Sequence, residues 1–233
     1  MNNPERIRIL DAMRGLAVIL MTAYHLIYDL VCFAGFPISL LYNPATELLH
    51  VSAYIFIFLA GVCCNFSHGN LRRGFITLFF ALIITLVTYI IDMPIRFGIL
   101  HLLGVCMVLY GLFPKFFASL TVLPTTVFCT ALFIITDRIC DSMIVNSRCL
   151  WMFGFKYSGF FSEDYYPLLP WIFLFIAGTV IGKLISGHKF PPKFYELSFP
   201  PLEAVGRHAM LIYLLNQPVL YSLVIAGVYI FGA

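Results

Sequence analysis

The sequence predicts an all-α integral membrane protein, a single bundle of about seven transmembrane helices occupying residues 1–233 as one domain. Composition points there first: 61% of the 233 residues are hydrophobic and 11% are charged, where a soluble domain carries about 25% charged residues. Mean hydropathy is +0.96. The length of the apolar stretches is the second observation, because crossing a bilayer takes about 20 predominantly apolar residues. Neither an internal repeat nor a low-complexity segment interrupts the pattern, and no block of like charges suggests a nucleic-acid surface.

Seven spans follow in order: residues 9–33, 48–66, 74–92, 97–113, 116–136, 167–186 and 207–231. The stretch FPISLLYNPATELLH, between the first two, holds Pro37 and Pro44 and reads as a segment returning along the membrane surface. The longest loop, 137–166, separates the fifth span from the sixth. The first apolar stretch is too long, too charged and too poor in small residues at its end for a cleavable signal peptide. With the N-terminus in the cytosol, the inner segments collect Arg6, Arg8, Arg14, Arg72, Arg73, Lys115, Lys183, Lys189, Lys193 and Arg207. The outer side holds only Arg96, Arg138, Arg148 and Lys156. By the positive-inside rule this predicts a multi-pass protein of the cell membrane, N-terminus cytoplasmic and C-terminus extracytoplasmic.

The first span, ILDAMRGLAVILMTAYHLIYDLVCF, is the most informative, because it carries Asp11, Arg14, His25 and Asp29. A helix turns about 100° per residue, so with Arg14 at zero, His25 lies at roughly +20° and both aspartates near +60°. The four share one face, and Arg14 and His25 stand about 16 Å apart along the axis. Ionisable groups in a bilayer are expensive and normally face a bundle interior or a wet cavity. His25 and Asp29, at i and i+4, are spaced to meet. A carboxylate fixing an imidazole selects its tautomer and raises its basicity, which suits a general base or an acyl carrier. The same pair could equally link two helices. Asp11 and Arg14 read either as an interfacial ion pair or as a phosphate contact.

Beyond the first span, His101 lies in the first turns of the fourth, and Asp164 precedes the sixth beside the aromatic run around Trp171. Together with His25 and Asp29 they form an outer layer of residue types suited to proton transfer. Arg14, Arg72, Arg73 and Arg207 form an inner basic layer, where Gly206-Arg207-His208 opens a helix whose positive end favours an anion. Pro218 interrupts the last span, and Asn216 or Gln217 could satisfy the break or touch a ligand. The seven cysteines match no zinc or redox spacing and predict no bound metal. Cys140 and Cys149 share a loop and could pair in an oxidising compartment.

Read together, RIRILDAMRGLAVILMTAYHLIYDL (6–30), FIFLAGVCCNFS (56–67), FGILHLLG (97–104), DYYPLLPW with the later Gly178 and Gly182, and GRHAMLIYLLNQP (206–218) resemble one known family. The chain is similar, from Arg6 to about Tyr221, to a short bacterial-type member of the heparan-alpha-glucosaminide N-acetyltransferase catalytic family, within the wider transmembrane acyltransferase group. The resemblance implies cytosolic acetyl-CoA as donor and a sugar amine or hydroxyl, here of a cell-envelope glycan, as acceptor. Arg14 and His25 match the Arg-x10-His pattern of the wider group, which implies a catalytic role for His25 and a donor-side or supporting one for Arg14.

The function expected is therefore transfer of acetyl from acetyl-CoA to an extracytoplasmic sugar, with His25 and Asp29 at the chemistry, His101 and Asp164 on the acceptor side, and Arg14, Arg72, Arg73 and Arg207 meeting donor phosphates. Lipid bilayer, donor and glycan are the expected partners, with homo-oligomerisation left open. The rival is a small proton-coupled transporter using the Asp11/Arg14/His25/Asp29 stripe as a relay, though transporters usually show repeats.

Overall fold

Long apolar runs without internal glycine–proline clusters form helix wherever water is absent, because only a helix or a closed barrel satisfies its own backbone in lipid. The computed structural model describes residues 7–232; Arg6, counted above among the inner basic residues, lies outside them. Eleven α-helices succeed one another among the described residues, with two isolated bridges and no strand. They are α1 (Arg8–Phe33), α2 (Pro44–Leu49), α3 (Val51–Cys64), α4 (Asn70–Ile90), α5 (Ile99–Leu112), α6 (Pro114–Ser119), α7 (Val122–Ser142), α8 (Leu168–Ser186), α9 (Pro192–Glu196), α10 (Pro200–Arg207) and α11 (Ala209–Phe231).

Among the described residues, six stretches are long and apolar enough to cross a membrane: α1, α2 with α3 (Pro44–Cys64), α4, α7, α8 and α11. The protein is a multi-pass membrane protein. Large apolar side chains pointing outward, such as Phe79, Leu86, Leu123 and Tyr229, are what a lipid-facing surface requires. The predicted fourth span is a shorter helix: α5 has 14 residues, about 21 Å at 1.5 Å per residue. Most of its first half, Ile99 to Gly104, is buried in protein, so it belongs to the interior more than to the lipid boundary. The predicted fifth span, 116–136, is displaced toward the C-terminus. Pro114 opens the short α6, Leu120 is extended (ψ 128°) and ends it, and α7 starts afresh with Pro124 in its first turn, where a missing N–H is harmless.

Packing divides the chain into two units. The first runs up to Phe56 and resumes at Phe190. Here α1 lies against both α10 and α11. Gly15 and Gly206 let α1 and α10 touch backbone to backbone: a Cβ on Gly206 would stand 1.8 Å from the Asp11 carbonyl oxygen, and one on Gly15 2.0 Å from that of Leu202. Glu203 anchors the start of α10, its Oε1 accepting from the Ser198 hydroxyl (2.7 Å) and the Phe199 N–H (2.9 Å), a variant of the capping box. The stretch before the second span, predicted to return along the membrane surface, folds as a 3₁₀ turn at Ile38–Leu40 and leads into α2, which is capped by Asn43, whose side chain accepts from the Ala45 N–H (2.9 Å).

The second unit is Ile57–Lys189. Its core combines Ile57, Leu59, Val62, Leu102, Phe175 and Val180. α3 and α8 meet at Gly61 and Gly178, where an added Cβ would lie 2.2 Å from the Phe175 and Phe58 carbonyl oxygens respectively. Such small-residue contacts are the usual means of close helix packing in membranes. α4 runs along α5, and α7 along α8. Lys183 of α8 donates to the carbonyls of Ala118 (3.0 Å) and Leu120 (2.8 Å), closing the C-terminus of α6.

Candidate active site

Four polar side chains form two rungs between α1 and α11 in the first unit. Asp29 is fully buried, and its Oδ1 accepts from Gln217 Nε2 at 2.7 Å. One turn earlier, His25 Nδ1 lies 2.6 Å from Asn216 Nδ2. The i, i+4 spacing led us to expect His25 and Asp29 to meet; no hydrogen bond joins them, and each takes a carboxamide from α11 instead. The reason is packing: α11 covers this face of α1, and its adjacent Asn216 and Gln217 supply neutral partners that satisfy buried polar groups without adding charge. They therefore do not turn back to mend the break at Pro218. His25 Nε2 makes no hydrogen bond among the described residues. Tyr24 packs beside this rung, its ring 4.2 Å from that of His50, and Phe33 meets Tyr221 edge-on at 5.0 Å beyond Asp29.

At the start of α1, Asp11 and Arg14 form an ion pair (Oδ1 to Nη1, 2.9 Å), with Asp11 buried and Arg14 half-buried. The Asp11 backbone carbonyl faces Gly206 where α10 presses on α1. Arg207, at the end of α10, is exposed.

The second unit positions His101 and Asp164. His101 is buried on α5, stacked on Phe97 (5.4 Å), with Nε2 3.3 Å from Thr85 Oγ1. The Thr85 hydroxyl donates to the Ile95 carbonyl (2.7 Å), so its oxygen is left to accept from Nε2–H. Asp164 caps α5 from a distance. The N-cap of that helix, Gly98, has no side chain, and Asp164 Oδ2 accepts the Ile99 N–H (3.1 Å) in its place. A Cβ on residue 98 would stand 2.2 Å from Oδ2, so a larger residue there would displace the carboxylate from the Ile99 N–H. Ser162 completes the corner, accepting from the Arg96 N–H (3.1 Å) and donating to the Asp164 carbonyl (2.7 Å).

The catalytic-domain model of heparan-alpha-glucosaminide N-acetyltransferase matches residues 6–218. The chain belongs to that family. Membership makes it a transmembrane acetyltransferase. Neither the comparison with curated proteins nor that with solved structures gave a match.

In this acetyltransferase, Arg72 and Arg73 are exposed in the first turn of α4. Arg73 donates to Asn70 Oδ1 (3.4 Å), and Asn70 in turn donates to the carbonyls of Cys64 and Ser67 (both 2.8 Å), which fixes the turn between α3 and α4. Asn65 extends this turn to α8, donating to the Thr179 carbonyl at 2.8 Å. Sequence reasoning passed over Asn65 and Asn70, although two asparagines flanking a glycine-containing turn between apolar spans were the available signal. Cys140 and Cys149 are both free thiols, Cys140 buried and Cys149 exposed.

Asp164 gives a pH prediction. The residue keeps some exposure, but its carboxyl is enclosed, and burial pushes it up to about 6, against the opposing hydrogen bond from Ile99. The folded chain thus binds this proton more tightly than the unfolded chain does. The resulting stability is present below about pH 4 and is lost as pH rises through about 6. The stability advantage of the wild type over Asp164→Asn should therefore shrink between about pH 4 and 7 in thermal unfolding. A constant difference across that range would reject this account.

Proposed function

We propose that this acetyltransferase moves the acetyl group of acetyl-CoA, taken from the cytosolic side, to an amine or hydroxyl of an extracytoplasmic sugar or cell-envelope glycan. The observation that carries this reading is the ladder between α1 and α11, which holds His25 in the membrane-spanning part of the chain and leaves its Nε2 unengaged. In direct transfer, Nε2 accepts the proton of the acceptor as its nitrogen or oxygen attacks the thioester carbonyl. The new N–C or O–C bond forms, the C–S bond breaks, and the proton passes from the imidazolium to the departing CoA thiolate. In the covalent route Nε2 itself attacks the thioester carbonyl, the C–S bond breaks and CoA leaves as its thiolate; the acceptor then attacks the acetyl carbon, the Nε2–C bond breaks, and the acceptor's proton ends on the CoA thiolate. Both routes use the same ring nitrogen.

Half-buried Arg14 and exposed Arg207 are our candidates for donor phosphates in the first unit, and Arg72 and Arg73 make a further basic pair, both exposed. The contacts of His101 and Asp164 favour support of the start of α5 over direct contact with the reacting atoms. The ten-to-four distribution of basic residues supports a cytosolic N-terminus.

The test is to incubate purified protein with labelled acetyl-CoA, with and without glucosamine, and follow free CoA, acetylated product and intact protein mass. Acetylated glucosamine supports the reading, and label retained on His25 selects the covalent route. Absence of both transfer and CoA-dependent thermal stabilisation would reject it.

A further inference from the structure

The His25 rung leaves one chemical question open, namely which ring nitrogen carries the proton, and the hydrogen-bond accounting of the seam answers it. With the Asn216 amide nitrogen toward the ring, Nδ1 accepts and the proton sits on Nε2. That orientation strands Asn216 Oδ1, buried without a partner. The same is true of Asp29 Oδ2 and Gln217 Oε1. All three are acceptors, so this stretch of α1 and α11 has a surplus of acceptors, each costly to leave unsatisfied away from water.

Turning the Asn216 amide by half a revolution exchanges its oxygen and nitrogen, two atoms whose assignment follows from the network alone. Oδ1 then takes the place 2.6 Å from Nδ1 and accepts Nδ1–H. One orphaned acceptor disappears, and an NH₂ group with two donors replaces it on a stretch of α1 and α11 where Asp29 Oδ2 and Gln217 Oε1 still lack partners. Pro218 adds a further acceptor on the same helix, because its missing N–H leaves the Leu214 carbonyl without its usual i+4 donor.

We propose that Asn216 is the positioning residue of His25: its Oδ1 accepts Nδ1–H, fixes the imidazole tautomer and leaves the lone pair on Nε2. This rests on the reading of His25 as base or acetyl carrier, since either role needs that lone pair. When the ring gains a proton or an acetyl group at Nε2, the Nδ1–H becomes more acidic and its bond to the carboxamide oxygen strengthens. The orienting contact is then firmest when the ring carries charge. Gln217 performs the parallel task for Asp29 and leaves the imidazole alone.

The experiment combines ¹⁵N-histidine NMR of the purified full chain with steady-state transfer from acetyl-CoA to glucosamine, for wild type, His25→Gln, Asn216→Asp and Asn216→Leu. The His25→Gln spectrum identifies the His25 signals. The expected result is a proton on Nδ1 in the wild type and in Asn216→Asp, which keeps an acceptor oxygen, with loss of that preference in Asn216→Leu. Transfer by Asn216→Leu should fall about 10²-fold or more in kcat with KM for acetyl-CoA unchanged, and Asn216→Asp should recover most of it. A wild-type His25 protonated on Nε2 would overturn the proposal whatever the activities are. Should Asn216→Leu fail to fold, the wild-type and Asn216→Asp spectra decide alone. The underlying reading fails separately, on retained transfer by His25→Gln, and the tautomer measurement does not depend on it.

Discussion

Gly206→Ala should destabilise the first unit more than any other single methyl group added to it. The new Cβ would stand 1.8 Å from the Asp11 carbonyl oxygen, 2.7 Å from its carbon and 2.9 Å from the Gly15 nitrogen. All three atoms are backbone, so no rotamer change relieves the clash, and α10 must lift away from α1. Overpacking of an interior costs about 1–3 kcal/mol when side chains can adjust, and a rigid backbone contact belongs at or beyond the upper end. Gly15→Ala should behave alike, since its Cβ meets the Leu202 carbonyl at 2.0 Å. Gly227→Ala in α11 is the control: nothing lies within 4 Å of its Cβ, and alanine is favoured over glycine in a helix by about 1 kcal/mol. Thermal unfolding in detergent with size-exclusion profiles measures all three. Equal midpoints for Gly206→Ala and Gly227→Ala would refute the backbone contact.

His25→Gln should remove transfer while keeping the fold. Glutamine retains a polar head able to bond Asn216, so the rung with α11 can survive, but it has no nitrogen that takes up a proton or an acetyl group near neutral pH. Loss of a positioned general base costs typically about 10²–10⁴-fold in rate. A carrier that forms a covalent intermediate has no substitute at all. We expect kcat to fall by at least about 10²-fold, with CoA-dependent thermal stabilisation unchanged because the donor phosphates are assigned to arginines. Wild-type transfer by His25→Gln would move the chemistry elsewhere. An unfolded variant is recognised by a lost elution peak, and His25→Asn then serves as the second test.

Sequence periodicity was enough to place Asp11, Arg14, His25 and Asp29 on one face, because a helix of known pitch leaves no freedom in that angle. It was also enough to locate most spans, since lipid demands length and apolarity together. The boundaries it missed depend on local breaks: Leu120 turning extended between two prolines moved one span, and Gly98 with Asp164 shortened another. The pairing of the stripe was beyond its reach. His25 and Asp29 satisfy themselves across 191 and 188 residues, and no spacing rule within one helix can weigh a partner so distant. Two carboxamides side by side in an apolar helix are the visible trace of it, and the sequence alone offers them either the break at Pro218 or a ligand as partner.

That separation has a consequence for how the protein is made. A helix carrying Asp11, Arg14, His25 and Asp29 enters the membrane at a disadvantage, since each acidic or basic group near a helix centre costs about 2.5–3.5 kcal/mol at the translocon. Its neighbours on α10 and α11 are not yet synthesised. Ribosomes add about 5–20 residues per second, so the 188 additions that lead from Asp29 to Gln217 take roughly 10–40 s. Throughout that interval α1 is an incomplete element whose polar face must be sheltered by water, lipid headgroups or the insertion machinery. The first unit closes only when the last helix arrives, and its assembly is a post-insertion event.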